Sequence, residues 1–285
     1  MAALPEQEND EPLDLVSLAV SRPHEALQRA RTILAGDPGP LAASVARQAI
    51  GLVLREYGDI DAAIIELRTA RRLAHRAGSA SREADVLGTL GVALIFAGRS
   101  VSGRNALDAA VQQSTGHLRY RMLFRRGAAL LIIGQNRDAL EDLNTAIAGM
   151  RAADDQAWEA RALQERAVSS LVSGFARRAI ADLRRAELLF DARGQELEAG
   201  EAIMNRGVVA LQLGDLPDAL SCFDEAAERF RYLGATEPDL SIHRCAALTA
   251  AGLFTDAMRE AEVAIAQLDQ IHGRPTKRAE LLLIA

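Results

Sequence analysis

The sequence predicts an all-α protein: a right-handed α-solenoid of about six to seven helix-turn-helix repeats, each 36–40 residues long. Three observations carry this. Composition comes first: 49% of residues are hydrophobic but only 4% aromatic, with Ala and Leu dominating, a mixture that favours helix over strand. Second, a glycine followed by a turn recurs at Gly58, Gly98, Gly134, Gly174, Gly214 and Gly252, with spacings of 40, 36, 40, 40 and 38 residues. Third, small and large side chains alternate in fixed register around each of these glycines.

The repeats run in order along the chain. A weaker unit opens at Ser21 with SRPHEAL and carries only the turn and second helix. First helices are expected at about 40–57, 82–97, 117–133, 156–173, 196–213 and 238–251. Second helices are expected at about 60–77, 100–113, 137–151, 176–193, 216–233 and 255–270. Each turn glycine ends a first helix, where glycine meets the φ > 0 requirement without steric cost. Asp59, Ser100, Asn136, Asp215 and Thr255 follow as candidate N-caps, and Pro217 falls in a first turn, where its missing donor does no harm. Gly174 is followed by Phe175 and lacks a cap.

Seven residues before each turn glycine stands a small residue: Gly51, Gly91, Gly127, Ala167, Gly207 and Cys245. Five residues after it stand Ala63, Gly103, Ala139, Ala179, Ala219 and Ala257. A large residue follows at Leu67, Leu107, Leu143, Leu183 and Phe223, with Ala261 the exception. Small residues return at Ala70, Ala110, Ala146, Ala186, Ala226 and Ala264. Small–large–small at i, i+4 and i+7 is one helix face, and it predicts a closely packed helix pair.

This pattern resembles the tetratricopeptide (TPR) repeat. Gly207, Gly214, Ala219-x3-Phe223 and Ala226 match that family well, and Leu90-Gly91-x2-Leu94, Gly98, Gly103-x3-Leu107 and Ala110 match in part. The family's Trp slot holds Arg47, Leu87, Leu123, Leu163 or Ile203 here, its Tyr slot is also changed, and the period exceeds the usual 34 residues. The Ala/Leu/Arg-rich repeats and the RAELLLIA tail are also similar to the repeat portion of actinobacterial CHAT-domain proteins, in which a caspase-like domain follows the repeats. The part carrying that family's catalytic His and Cys has no counterpart here. The domain expectation is a disordered segment at 1–10, a solenoid over 11–274, and at 275–285 the first helix of an incomplete further repeat in a truncated chain. In that arrangement Leu281–Ile284 would be exposed, and an end-to-end homodimer through the uncapped C-terminus would follow.

Charge and motifs exclude several functions. With 33 Lys and Arg against 39 Asp and Glu, the net charge of −6 disfavours a general nucleic-acid binder. The N-terminus, MAALPEQENDEPLD, lacks the basic and apolar regions of a signal peptide, and no apolar run approaches a membrane span, so a cytoplasmic location and no membrane partner are expected. Cys222 and Cys245 are too few for a disulfide framework. The histidines form no zinc-ligand spacing, and His243-Arg244-Cys245 places its two chemical groups about 100° or more apart around a helix. No phosphate loop or catalytic carboxylate pair stands out, so no catalytic residue, metal or cofactor is assigned.

Surface recognition is the remaining class. The first helices should line a concave groove. The face opposite the helix-pair contact carries Arg121, Phe124 and Arg125, then Arg161, Gln164 and Glu165, then Glu201, Met204 and Asn205, then Asp239 and His243. This lining is basic and aromatic in the middle and acidic toward the C-terminus. The expected partner is a protein or peptide, an acidic one being suited to the arginines. A separate arginine column at 126, 166, 206 and 244 is expected to cross-link neighbouring repeats.

Overall fold

The computed structural model describes residues 15–19, 22–235, 237–270 and 281–282. Among them every regular element is an α-helix. A short helix, α1, covers residues 15–19. It is followed by α2 (Pro23–Ala35), α3 (Pro40–Glu56), α4 (Ile60–Arg76), α5 (Ala80–Phe96), α6 (Ser100–Gln113) and α7 (Gly116–Ile132). Next come α8 (Asn136–Ala152), α9 (Gln156–Val172), α10 (Ala176–Asp191), α11 (Glu196–Gln212), α12 (Leu216–Leu233), α13 (Pro238–Ala250) and α14 (Phe254–Gln270). These spans match the expected helices to within a few residues, and the chain has a TPR-like α-solenoid fold. The expected disordered segment at 1–10 lies outside the described residues.

The chain divides into two compact units, Met1–Gln135 and Asn136–Ala285. In the first, α3 packs on α4 and α5 on α6; first helices also touch one another, α3 against α5 and α5 against α7, whereas α4 and α6 do not. In the second, α9 packs on α10, α11 on α12 and α13 on α14, with α11 touching both α9 and α13.

The turns explain the long period. Most helices have 17 residues and are joined by three. In the turn after α3, Gly58 at φ 84° closes a bond to Arg55 O, and Asp59 N–H donates to Leu54 O at 2.9 Å. The Asp59 carboxylate then accepts from Ala62 N–H at 3.2 Å. One residue therefore satisfies the end of one helix and the start of the next. Asp215 does the same between α11 and α12. The turns between repeats use the same device: Ser79 and Asp155 cap α5 and α9 after positive-φ residues Gly78 and Asp154. The operative unit is thus one helix and one turn, about 20 residues, and two units make the repeat. Three expected caps are corrected: Ser100 and Asn136 are the first residues of α6 and α8, and Thr255 lies inside α14. In each the helix starts earlier than expected, so the side chain belongs to a helical residue and not to the flanking N-cap.

The small slots are helix-contact points. A Cβ at Gly51 would sit 2.7 Å from Leu67 Cγ, and one at Gly207 would sit 2.6 Å from Phe223 Cε1. Gly91 and Gly103 face each other: a Cβ on Gly103 would meet Ile95 Cγ1 at 2.5 Å and the Gly91 carbonyl oxygen at 2.7 Å. The large residues between them, Leu67, Leu107, Leu143, Leu183 and Phe223, are all at most 1% exposed. The expectation of an exposed C-terminal apolar end is corrected at Leu281, which is buried with Cys245, Ala261, Ala264 and Leu268. Leu282 is half exposed, and residues 283–284 lie outside the described set.

The arginine column does cross-link. Arg166 forks onto Asp182 of α10 at 2.7 and 2.8 Å and reaches Asn144 of α8 at 2.9 Å. Arg206 ties α10 (Glu187, 2.5 Å) to α12 (Cys222, 3.6 Å), and Arg244 ties α12 (Asp224, 2.8 Å) to α14 (Glu260, 3.8 Å). Arg126 bonds Asp108 of α6 at 2.8 Å.

Candidate functional site

In the first unit, three consecutive first helices meet in a buried polar cluster. Its centre is Asp85 on α5. Arg82 Nη1 donates to its carboxylate at 2.8 Å, Arg125 of α7 at 2.6 Å, and Gln48 Nε2 of α3 at 3.2 Å. Arg82 also donates to the Ser44 carbonyl at 3.3 Å and to Gln48 Oε1, while Gln48 bonds Thr89 at 2.7 Å. The Ser44 hydroxyl donates to Ala70 O at 2.8 Å, tying the cluster to α4.

The sequence permits this because of Gly88. A Cβ there would lie 2.6 Å from Met122 Sδ and 3.4 Å from Arg125 Nη1, so the glycine leaves room for both side chains of α7 beside Asp85. Burial would raise the Asp85 carboxyl, but the guanidinium groups of Arg125 and Arg82 and the Gln48 amide outweigh it and hold it below the usual carboxylate range. Arg55 of α3 is a further cation on these helices. It is depressed chiefly by burial and also by repulsion from Arg125, with Glu56 opposing, and it lies 5.8 Å from the Phe96 ring centroid. Cations therefore outnumber the carboxylates on this face. Of the expected residues here, Arg125 is at the cluster, and Arg121 and Phe124 are half-buried on the same helix.

In the second unit the first helices carry the opposite charge. Arg161 of α9 lies 5.3 Å from the Trp158 ring centroid and pairs with Glu198 of α11 at 3.4 Å, and Gln195 donates to the same Glu198 oxygen at 3.0 Å. Burial pushes the Glu201 carboxyl up to about 7, helped by the nearby negative charges of Glu237, Glu198 and Asp239 and opposed by Arg161. Glu165 is also raised, by burial alone. The structure thus brings Arg161, Glu201 and Asp239 together. Gln164 and Asn205 are half-buried on α9 and α11. His243 stacks on Phe223, ring centroids 6.3 Å apart and planes at 15°.

Neither cysteine is activated as a nucleophile. Cys222 and Cys245 are free and buried. Burial pushes the Cys245 thiol up to about 11, and it donates to Ala257 O at 3.4 Å. No group of metal-ligand residues is present among the described residues, and no described helix is long and apolar enough to cross a membrane.

Sequence reasoning finds the arginines of α7 and the acidic residues of α11 but overlooks Ser44, Gln48, Arg82, Asp85 and Thr89. These lie one and two repeats before α7, on α5 and α3, and their only sequence signal is polar residues within otherwise apolar helices.

No protein-family model matches the chain, and no curated protein sequence matches it. Solved structures do. The chain is similar to the APC/C hetero-tetramer Cut9–Hcn1 (TM-score 0.68, 16% identity), covering 98% of this chain and 49% of that one. A signal transduction ATPase with a tetratricopeptide repeat sensor from Pyrococcus horikoshii aligns with TM-score 0.68 and 16% identity, over 95% of this chain and 42% of that one. A Rap protein complexed with competence and sporulation factor aligns with TM-score 0.63 and 14% identity, over 98% of this chain and 86% of that one. The chain therefore spans about half the length of Cut9–Hcn1. At these identities the likeness is one of fold.

Proposed function

We propose that this chain is a scaffold that binds a protein or peptide along its first-helix faces. The observation that carries the proposal is the placing of unbalanced charge there. Arg55, Arg82 and Arg125 gather on α3, α5 and α7 against Asp85 and Glu56, and Glu201 sits among Glu198, Glu237 and Asp239, with Arg161 opposing them. Gathering like charges on one partly buried face costs free energy, because each disfavours the charged form of its neighbours. A ligand of opposite charge relieves that cost. An acidic segment suits Arg121, Phe124 and Arg125; a basic one suits Glu165, Glu201 and Asp239, with Arg161, Gln164, Asn205 and His243 placed to bond its polar groups.

The sensor role is favoured by the Pyrococcus horikoshii neighbour, where a tetratricopeptide repeat sensor belongs to a signal transduction ATPase. On that reading the chain is the recognition or regulatory arm of a larger bacterial protein. The two alternatives carried by resemblance are the sensor arm of a caspase-like CHAT peptidase and the ligand-sensing arm of a transcription regulator, with any catalysis in a domain outside this chain. The test is a pull-down with the parent and with Arg121→Glu/Arg125→Glu, both checked for native circular dichroism. Loss of the captured protein from the variant supports the assignment; equal recovery removes it.

A further inference from the structure

A different concavity lies in the first unit, on the side of α5 opposite Asp85. It encloses about 970 Å³ between α4 and α6. Its floor is one stripe of α5: Leu87, Leu90 and Leu94. One wall is a stripe of α4: Arg68, Arg71, Arg72, His75 and Arg76. The other wall is α6, which offers mainly short side chains there, among them Asn105, Ala106 and Ala109. The cleft exists because α4 and α6 do not touch and because α6 has 14 residues where α4 has 17. With α6 ending at Gln113, the last turn of α4 has no turn of α6 beside it.

The charge on the α4 wall is not neutralised. Glu83 takes Arg71 at 3.0 Å and His75 at 3.1 Å. Arg72 donates only to the Thr69 hydroxyl, at 3.1 Å. Among the described residues, no carboxylate pairs with Arg68, Arg72 or Arg76. A helix C-terminus favours one or two cations. A stripe of five basic side chains over two turns exceeds that need.

We propose that this cleft is a second recognition site and that its occupant is an amphipathic helix of another protein, acidic along one side and apolar along the other. The shape of the charge decides between ligand classes. The basic stripe runs eight residues along α4, about 12 Å, and the leucine floor runs seven along α5, about 10 Å. A single anionic headgroup would satisfy one end of that array and leave the rest. A helix with carboxylates at i, i+4 and i+7 meets it along its length, while its apolar stripe lies on Ala106, Ala109 and the apolar stems of the arginines, above the buried leucines. The small α6 wall leaves space for its backbone. A nucleic-acid backbone would match the charge but not the apolar lining of Ala106 and Ala109.

The test uses a fluorescein-labelled 15-residue helical peptide with glutamates on one face and leucines on the other, followed by fluorescence anisotropy. The parent should bind it saturably, and a scrambled peptide of the same composition should bind more weakly. Arg68→Glu/Arg72→Glu/Arg76→Glu, all at exposed positions, should weaken binding on the order of tenfold or more, and Arg184→Glu on α10 should not. Native circular dichroism confirms that the triple variant folds. Equal binding of the scrambled peptide, no saturable binding by the parent, or unchanged binding by the folded triple variant overturns the proposal. So does tighter competition by dodecyl phosphate or by a 15-nucleotide oligothymidylate than by unlabelled peptide. The Arg121→Glu/Arg125→Glu variant should retain this binding, which separates failure here from failure of the first-helix site.

Discussion

Gly103→Ala sets two known effects against each other. Exposed in a helix, the exchange would stabilise the chain by about 1 kcal/mol through helix propensity. Here the new Cβ would lie 2.7 Å from the Gly91 carbonyl oxygen and 2.5 Å from Ile95 Cγ1. Ile95 is 4% exposed, and the Gly91 oxygen belongs to a helix backbone, so neither can move without shifting α5 away from α6. Overpacking of this kind costs about 1–3 kcal/mol. Because the obstacle is backbone, the upper half of that range should outweigh propensity and leave a net loss of about 1–2 kcal/mol. For a chain of this size that corresponds to a melting temperature lower by roughly 2–8 °C. Thermal unfolding followed at 222 nm, with urea melts in parallel, measures it. An unchanged or raised melting temperature would refute close packing of α5 on α6 through facing glycines.

Further outcomes follow from the same structure. Gly207→Leu should lower the melting temperature more than Gly103→Ala, since it drives a whole side chain into the buried Phe223 ring; an unchanged melt would count against the small-slot scheme. Arg166→Met should cost about 2–4 kcal/mol in urea unfolding, because Asp182, only 8% exposed, keeps its charge and loses its fork; a loss under 0.5 kcal/mol would make that pair incidental. For Glu201 the folded carboxyl is raised to about 7, so its protonated form favours folding. That stability is complete below the unfolded value near 4.5 and is lost as pH rises through about 7. Glu201→Gln should therefore gain about 1–3 kcal/mol at pH 8 relative to the parent and flatten the decline between pH 5 and 8. Parallel stability–pH curves for the two proteins would remove Glu201 as the source.

The fold is legible because its rule is local and repeated. A glycine with φ > 0, a capping acid, and small residues seven before and five after need no distant information, so helix spans follow closely. The shorter 20-residue rhythm is harder to see, since the turns between repeats vary their residue: Gly78 and Gly194 in two, but Asp37 and Asp154 in two others. The site is legible only in part. Arg125 and Glu201 stand out as charges on faces expected to be recessed. Their environment does not, because Ser44, Gln48, Arg82 and Asp85 are separated by up to 41 residues and become one network only when α3, α5 and α7 lie side by side. The basic stripe at 68, 71, 72, 75 and 76 is visible in the sequence, but a solvated helix face looks the same until a cleft and a leucine floor appear beside it.

Partner binding on the first-helix faces can be tested without knowing the partner. Photo-reactive benzoylphenylalanine placed in turn at positions 124, 164 and 205, and at exposed Leu188 on α10 as the comparison, would be irradiated in the native host and its adducts identified by mass spectrometry. The account predicts a common partner cross-linked from first-helix positions and absent at 188. Adducts at 188 with none at 124, 164 or 205 would contradict it.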